Sequence, residues 1–131
     1  FGAPVVLGTA GAVKLWEAAS TAAKFVGVAL REVKSATDYM NQNEGGYHKN
    51  EAVPVMKRGC VNVICQNGTP APGGKVYIRT VENESYPKAV IGGFEAAADT
   101  GKNVELTNAQ WKGSADANGV AEMRILTILN A

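Results

Sequence analysis

Residues 51–81 read EAVPVMKRGCVNVICQNGTPAPGGKVYIRTV, and the pattern within them decides the fold class. On the first arm Val61, Val63 and Cys65 alternate with Cys60, Asn62 and Ile64. On the second, Val76, Ile78 and Thr80 alternate with Tyr77, Arg79 and Val81. Successive side chains of a strand point to opposite faces, so each arm offers one face to a core. Between them lies the turn cluster Asn67–Gly74, rich in Gly and Pro. It is long enough to join the arms as a hairpin, although no tight two-residue turn is present.

The same alternation continues outward. Phe1–Leu15 is apolar and punctuated by Gly2, Gly8 and Gly11. It reads as an extended arm with strands at Pro4–Leu7 and Ala12–Trp16. Glu17–Ala23 has helical propensity but is too short to hold a helix alone, and a turn or one helical turn is expected. Lys24–Val33 reads as a strand because β-branched residues and Gly27 disfavour a helix. The polar stretch 34–50 breaks the pattern and reads as a long surface loop.

Downstream, Gly92-Gly93 within residues 89–98 predicts a bulge or close backbone approach in a strand. Asn103–Thr107 alternates, Asp116–Gly119 is a strong turn, and Val120–Leu126 closes the chain with Ala121, Met123 and Ile125 on one face. Seven to nine short strands, with turn signals every 8–12 residues, favour an antiparallel sandwich or barrel.

Composition sets outer bounds. A chain of 131 residues is of one-domain length and buries roughly two-thirds of its unfolded surface. Hydrophobic residues at 46 % and charged residues at 19 % match globular usage and exclude a disordered chain. A net charge of +1 offers no whole-molecule attraction for nucleic acid or anionic membrane. No apolar run approaches the roughly 20 residues of a membrane helix. FGAPVVLGTAGAV lacks the basic start and apolar core of a secretory leader. No Met opens the chain, and the first few residues are expected to be either removed or absent from this sequence.

Cys60 and Cys65 are five residues apart. In one strand they face opposite sides with Cα atoms roughly 16 Å apart, well beyond the approximate 4.4–6.8 Å of a disulfide. Two free thiols are therefore expected, as in a reducing cytosol.

Chemistry-bearing residues are sparse. His48 is the single histidine, so no His pair exists for zinc, and a solvated loop residue beside Tyr47 is expected. The cysteines fall in a core strand, where free Cys is a small inert hydrophobe. No nucleophile-elbow motif accompanies any serine. The carboxylates are scattered, and Asp116-x-Asn118-Gly119 lacks the later ligands of a calcium loop. Lys57, Arg58, Lys75 and Arg79, with Tyr77 among them, are read as a solvated strand face rather than a nucleic-acid surface. Neither catalysis nor a metal or cofactor is expected.

The ordered series FVGVALREV, EAVPVMKRGCVNV, GGKVYIRT, GGFEAAAD and SADANGVAEMRIL resembles the structural cement proteins of tailed bacteriophages. The likeness covers most of the chain from Phe25 to Leu126, and GGFEAAAD followed by ADANGVAEMR is its most specific part. It implies a mainly β, single-domain antiparallel β-sandwich or jelly-roll-like barrel. Residues 1–23 would form an N-terminal arm and connecting segment, and residues 24–131 the β-domain. It also implies a non-enzymatic, homodimeric virion protein, made in the host cytoplasm and seated on the outer capsid surface, where it clamps neighbouring major capsid proteins.

On that reading the arm, with Phe1, Pro4, Val5, Val6 and Leu7, would lie across a neighbour as an added strand. Trp16, Tyr39, Tyr47, Tyr86 and Trp111 would serve as interface anchors, with core packing the alternative for each. A receptor- or glycan-binding β-domain on the virion is the second reading, motivated by the same aromatics. A small β-barrel hydrolase is the third.

Overall fold

A computed structural model describes residues 2–32 and 46–127. Among them the chain forms β1 (Pro4–Leu7), β2 (Val13–Leu15), β3 (Phe25–Ala29), β4 (Val55–Met56) and β5 (Gly59–Ile64). There follow β6 (Lys75–Arg79), β7 (Phe94–Glu95), β8 (Asn103–Trp111) and β9 (Val120–Ile125). The first four make one antiparallel sheet, in the order β2-β1-β3-β4. The other five make a second, in the order β5-β9-β8-β6-β7. Neither closes into a barrel, and together they make a β-sandwich.

The core is built from the faces that period-two alternation marks. Val63, Val76, Ile78, Ala121, Met123 and Ile125 from the five-stranded sheet meet Val6, Phe25 and Val28 from the other. Each is 3 % exposed or less. Fully burying such a side chain contributes about 1.5–3 kcal/mol, and the interdigitated inner faces fix which way each strand turns. Asn62 and Ile64 on β5 point outward and are exposed.

The two arms of residues 51–81 do not pair with each other. β9 and β8 lie between β5 and β6. With no tight turn to force a hairpin, the Gly- and Pro-rich linker crosses the end of the sheet instead. There the Gly73 N–H donates to the Trp111 carbonyl (2.8 Å) and the Trp111 N–H to the Gly74 carbonyl (2.9 Å). The hairpin of this sheet is β8–β9, closed where Asp116 Oδ1 accepts from the N–H groups of Asn118 (2.8 Å) and Val120 (2.9 Å).

The N-terminal stretch is likewise not a free arm. β1 is an interior strand, paired with β2 on one side and β3 on the other, so both its edges are occupied. Residues 1–23 also supply Val6 and Trp16 to the same cluster as Phe25, Val63 and Trp111. Among the described residues, those before Lys24 therefore share a sheet and a core cluster with those after it. Residues 17–23 make only turns, with a single 3-10 turn at Ala22–Lys24. The strand expected across residues 89–98 shortens to Phe94–Glu95 because the chain turns at Gly92, whose φ is +84°.

Candidate interaction surface

β5 is an edge strand, and its backbone shows which groups are free. The Cys65 N–H donates toward β9, to the Gly119 carbonyl (2.8 Å), and the Gln66 N–H donates the other way, to the Phe94 carbonyl (2.9 Å). In a strand, successive residues direct their N–H and C=O to alternate edges. Val61 and Val63 therefore bond to β9, where they sit opposite Met123 and Ala121. Asn62 and Ile64 direct theirs away from it, to an edge that is open at Asn62 and meets Phe94 in a parallel bridge at Cys65.

That edge faces a groove of about 410 Å³. One wall is β5 from Val61 to Ile64; the opposite wall is Ala3, Ala29 and Leu30 of the other sheet; Val90 and Gly92–Phe94 close the end. Ile64 and Val90 are each 63 % exposed. A second apolar patch lies on the outer face of the four-stranded sheet. There Leu7 and Leu15, 53 % and 64 % exposed, stand on the same side as Val5 and Val13, their cross-strand partners.

The Val90 wall is held by a chain of polar contacts that starts in the core. Gln66 treats Val90 as a neighbouring strand would: its Nε2 donates to the Val90 carbonyl (2.9 Å) and its Oε1 accepts the Val90 N–H (3.0 Å). Gly93 makes room for it, since a Cβ there would overlap the Gln66 carboxamide. The same Nε2 reaches Glu95 Oε2 (3.1 Å). Glu95 is fully buried and receives both Nε (2.6 Å) and Nη2 (2.7 Å) of Arg79, which is also fully buried. Arg79 Nη1 donates to Asp99 Oδ2 (3.0 Å) and the Val81 carbonyl (3.2 Å).

Burial alone would make the Arg79 guanidinium easier to deprotonate, but the hydrogen bonds it donates to Glu95 and Asp99 outweigh that and hold the charge. The Asp99 carboxyl is held below the ordinary carboxylate range, first by the Asn83 amide and, against some desolvation, also by Arg79. Tyr86 covers the guanidinium, its ring centroid 5.7 Å from Arg79 Cζ. Arg79 therefore belongs to no solvated strand face: it faces Glu95, across the β6–β7 pair. Arg79, Glu95 and Gln66 are the residues that sequence reading missed. Only Gly92-Gly93, read as a close backbone approach, hinted at the arrangement.

The residues expected at an interface divide sharply. Pro4, Val5 and Val6 are buried, and Trp16 and Trp111 are 5 % and 1 % exposed. Val6, Trp16 and Trp111 pack in the core cluster, and Pro4 and Val5 are covered as well, so all five are buried within this chain. Leu7 and Tyr86, 53 % and 44 % exposed, remain at the surface. Tyr47 is half-buried and donates its hydroxyl to the Leu30 carbonyl (2.5 Å). Phe1 and Tyr39 lie outside the described residues.

Reactive groups do not converge. His48 is exposed, and its backbone N–H donates to the Glu51 carboxylate. Cys60 and Cys65 are free thiols. Burial pushes the Cys65 thiol up, and its sulfur donates to the Asn67 carbonyl (3.2 Å). Among the described residues no three His, Cys, Asp or Glu side chains gather where a metal ion would sit. No described helix is long and apolar enough to cross a membrane.

The model of a family described as "structural cement protein (E217 gp24/Pam3 gp6)" matches residues 1–126. A chain from a solved structure titled "The capsid of Myoviridae Phage XM1" shares the fold. Its TM-score is 0.64 at 18 % identity, over 97 % of this chain and 75 % of that one. No curated protein matches.

Proposed function

The chain belongs to the phage structural cement protein family, and from that premise we propose that it fastens adjacent major capsid protein subunits on the outside of the shell. Its role is structural and its place is the phage virion. The family match over residues 1–126 carries the reading. The surface supports it, because exposed apolar side chains line an open groove and a sheet face rather than a closed pocket. In this proposal the protein is made in the host cytoplasm, acts as a homodimer, and needs neither cofactor nor catalysis.

A fastener works by burying apolar area and satisfying main-chain groups at once on two neighbouring subunits. Each contact is modest, and holding one raises the local concentration of the other. Stiffness matters as much as area, since a wall ordered before binding loses less entropy on contact. The Gln66–Glu95–Arg79 chain supplies that stiffness at Val90.

Purified protein mixed with empty shells of its own phage is expected to sediment with them and raise their thermal stability. A reconstruction of the particle is expected to show it on the exterior. Failure to co-sediment, or a position inside the shell or in the tail, refutes the proposal.

A further inference from the structure

We propose that the open edge of β5 seats an extended strand from a capsid subunit, apolar along its middle and acidic at the end beside Lys57 and Arg58. This rests on the capsid reading above and adds to it the element of this protein that is engaged and the chemistry of what engages it.

The edge asks for a strand. Asn62 directs its N–H and C=O into the groove and Ile64 its N–H, while the Ile64 carbonyl lies at the parallel Cys65–Phe94 bridge; an extended peptide satisfies such open groups in register. Exposed edges are commonly blunted by a Lys, a Pro or a bulge within the strand. Between Val61 and Ile64 there is none. The flanks are mostly apolar, from Ile64 and Val90 at the mouth to Leu30, Ala29 and Ala3 on the far wall, where Arg31 is the one charged residue of the lining.

Charge sets the polarity of the guest. Lys57 and Arg58 precede β5, and Arg124 sits opposite Cys60 near the same end. All three are exposed, and the described residues give none of them an ion-pair partner. By contrast Glu122, further along the β5–β9 pair, is already engaged by Lys112 (3.4 Å). Beyond Val90 the surface turns acidic at Glu82 and Glu84. Acidic residues of the guest therefore belong at the Lys57–Arg58 end.

A second copy does not fit the same place. Paired strands lie about 4.8 Å apart. The β5 edge is recessed behind Ala3, Ala29 and Leu30 on one side and Val90 on the other. Another copy would bring the same walls to the same place, so the occupant proposed is a single extended segment, which passes between them.

Amide hydrogen exchange on the full chain, free and on empty shells, tests this directly. The Asn62 and Ile64 amides should exchange quickly in the free protein and slow by at least about tenfold on shells. Asn62→Pro and Ile64→Pro each delete one outward N–H, a change an edge strand tolerates. Each should weaken shell binding by about tenfold at unchanged thermal unfolding, whereas Asn62→Thr, which keeps the N–H, should not. Lys57→Glu with Arg58→Glu should weaken binding further, most strongly at low salt.

If wild-type protein does not bind shells, the capsid reading itself fails. If it binds while both amides stay fast and both proline variants bind normally, only the edge proposal fails. Amides already slow in the free protein would mean that another part of the chain or a second copy covers the edge, which also overturns it. Binding unaffected by the charge reversal overturns the acidic end.

Discussion

Removing the Glu95 carboxylate is the most demanding test of how this surface is held. In Glu95→Ala, Arg79 loses its 2.6 Å and 2.7 Å partners and keeps only Asp99 and the Val81 carbonyl. Three amides lose an acceptor as well: Gln66 (3.1 Å), Asn67 (3.4 Å) and Asn103 (3.3 Å). Breaking a buried ion pair by deleting one partner costs about 3–5 kcal/mol, because the remaining charge stays desolvated. That is a large share of the roughly 5–15 kcal/mol that holds a domain together. For a chain of this size it corresponds to a melting temperature lower by roughly 10–20 °C.

The double variant Arg79→Met with Glu95→Leu removes both charges. It should be more stable than Glu95→Ala although more side chains have changed, and its cost should fall well below the sum of the two single variants. Chemical denaturation of all four proteins gives the coupling. The effect should also reach the groove, because Gln66 loses its anchor and the Val90 amide, bonded to Gln66 Oε1, should exchange faster. A Glu95→Ala cost below about 1 kcal/mol, or single-variant costs that simply add, would refute the view that this network is one cooperative unit.

Three further outcomes are expected. The folded Asp99 carboxyl titrates below its unfolded value, held there by the Asn83 amide first and Arg79 second. Its stabilisation is therefore present above the ordinary carboxylate pKa of about 3.9 and is lost as pH falls through the depressed folded value; Asp99→Asn should flatten that acid limb in urea midpoints followed from about pH 6 to pH 2. Gly27→Ala should destabilise more than Gly93→Ala in thermal unfolding, since the new Cβ overlaps the Met56 carbonyl in the first and only the displaceable end of Gln66 in the second. Trp16→Ala and Trp111→Ala should each cost about 3–5 kcal/mol in denaturation, whereas Leu15→Ser should leave stability within about 0.5 kcal/mol.

Period-two alternation made the strands legible wherever one face met the core. Val61 and Val63, Val76 and Ile78, and Ala121, Met123 and Ile125 all point as their spacing indicates, and the strands at Pro4–Leu7 and, within the expected Ala12–Trp16, at Val13–Leu15 are legible without any partner. Sheet order was not legible. Alternation says which side of a strand is apolar, not which strand lies next to it, and β9 reaches β5 from more than fifty residues further along the chain. The apolar start of the chain looked like a loose arm because its partners, β2 and β3, lie further along it.

The candidate surface was harder still to read. Exposure of a tryptophan cannot be inferred from its position in an irregular stretch, and both went to the core. Arg79 occupies an unremarkable position in an alternating strand. Its burial depends on Glu95, on a strand only two residues long, and on Asp99, in a turn. Neither contact leaves a mark at fixed spacing. Gly93 did leave one, because the lack of a side chain is visible in sequence, but the group that fills the space, the Gln66 carboxamide, is 27 positions earlier.

An open sheet edge is usually a hazard, since it pairs as readily with another copy as with its intended partner. β5 carries no charge, proline or bulge between Val61 and Ile64, so its protection must come from shape. The walls that recess it belong to different parts of the chain: Ala3, Ala29 and Leu30 from the other sheet, and Val90, which Gln66 and the buried Glu95–Arg79 pair hold in place. This gives the buried ion pair a purpose beyond stability, since a rigid wall admits one slender strand and refuses a second sheet. Loosening the wall should then move two properties in opposite directions. Below its unfolding temperature, a Glu95→Ala protein should bind shells more weakly and self-associate more strongly, read by light scattering at matched concentration. A variant that bound less without associating more would show the wall to be a contact and not a guard.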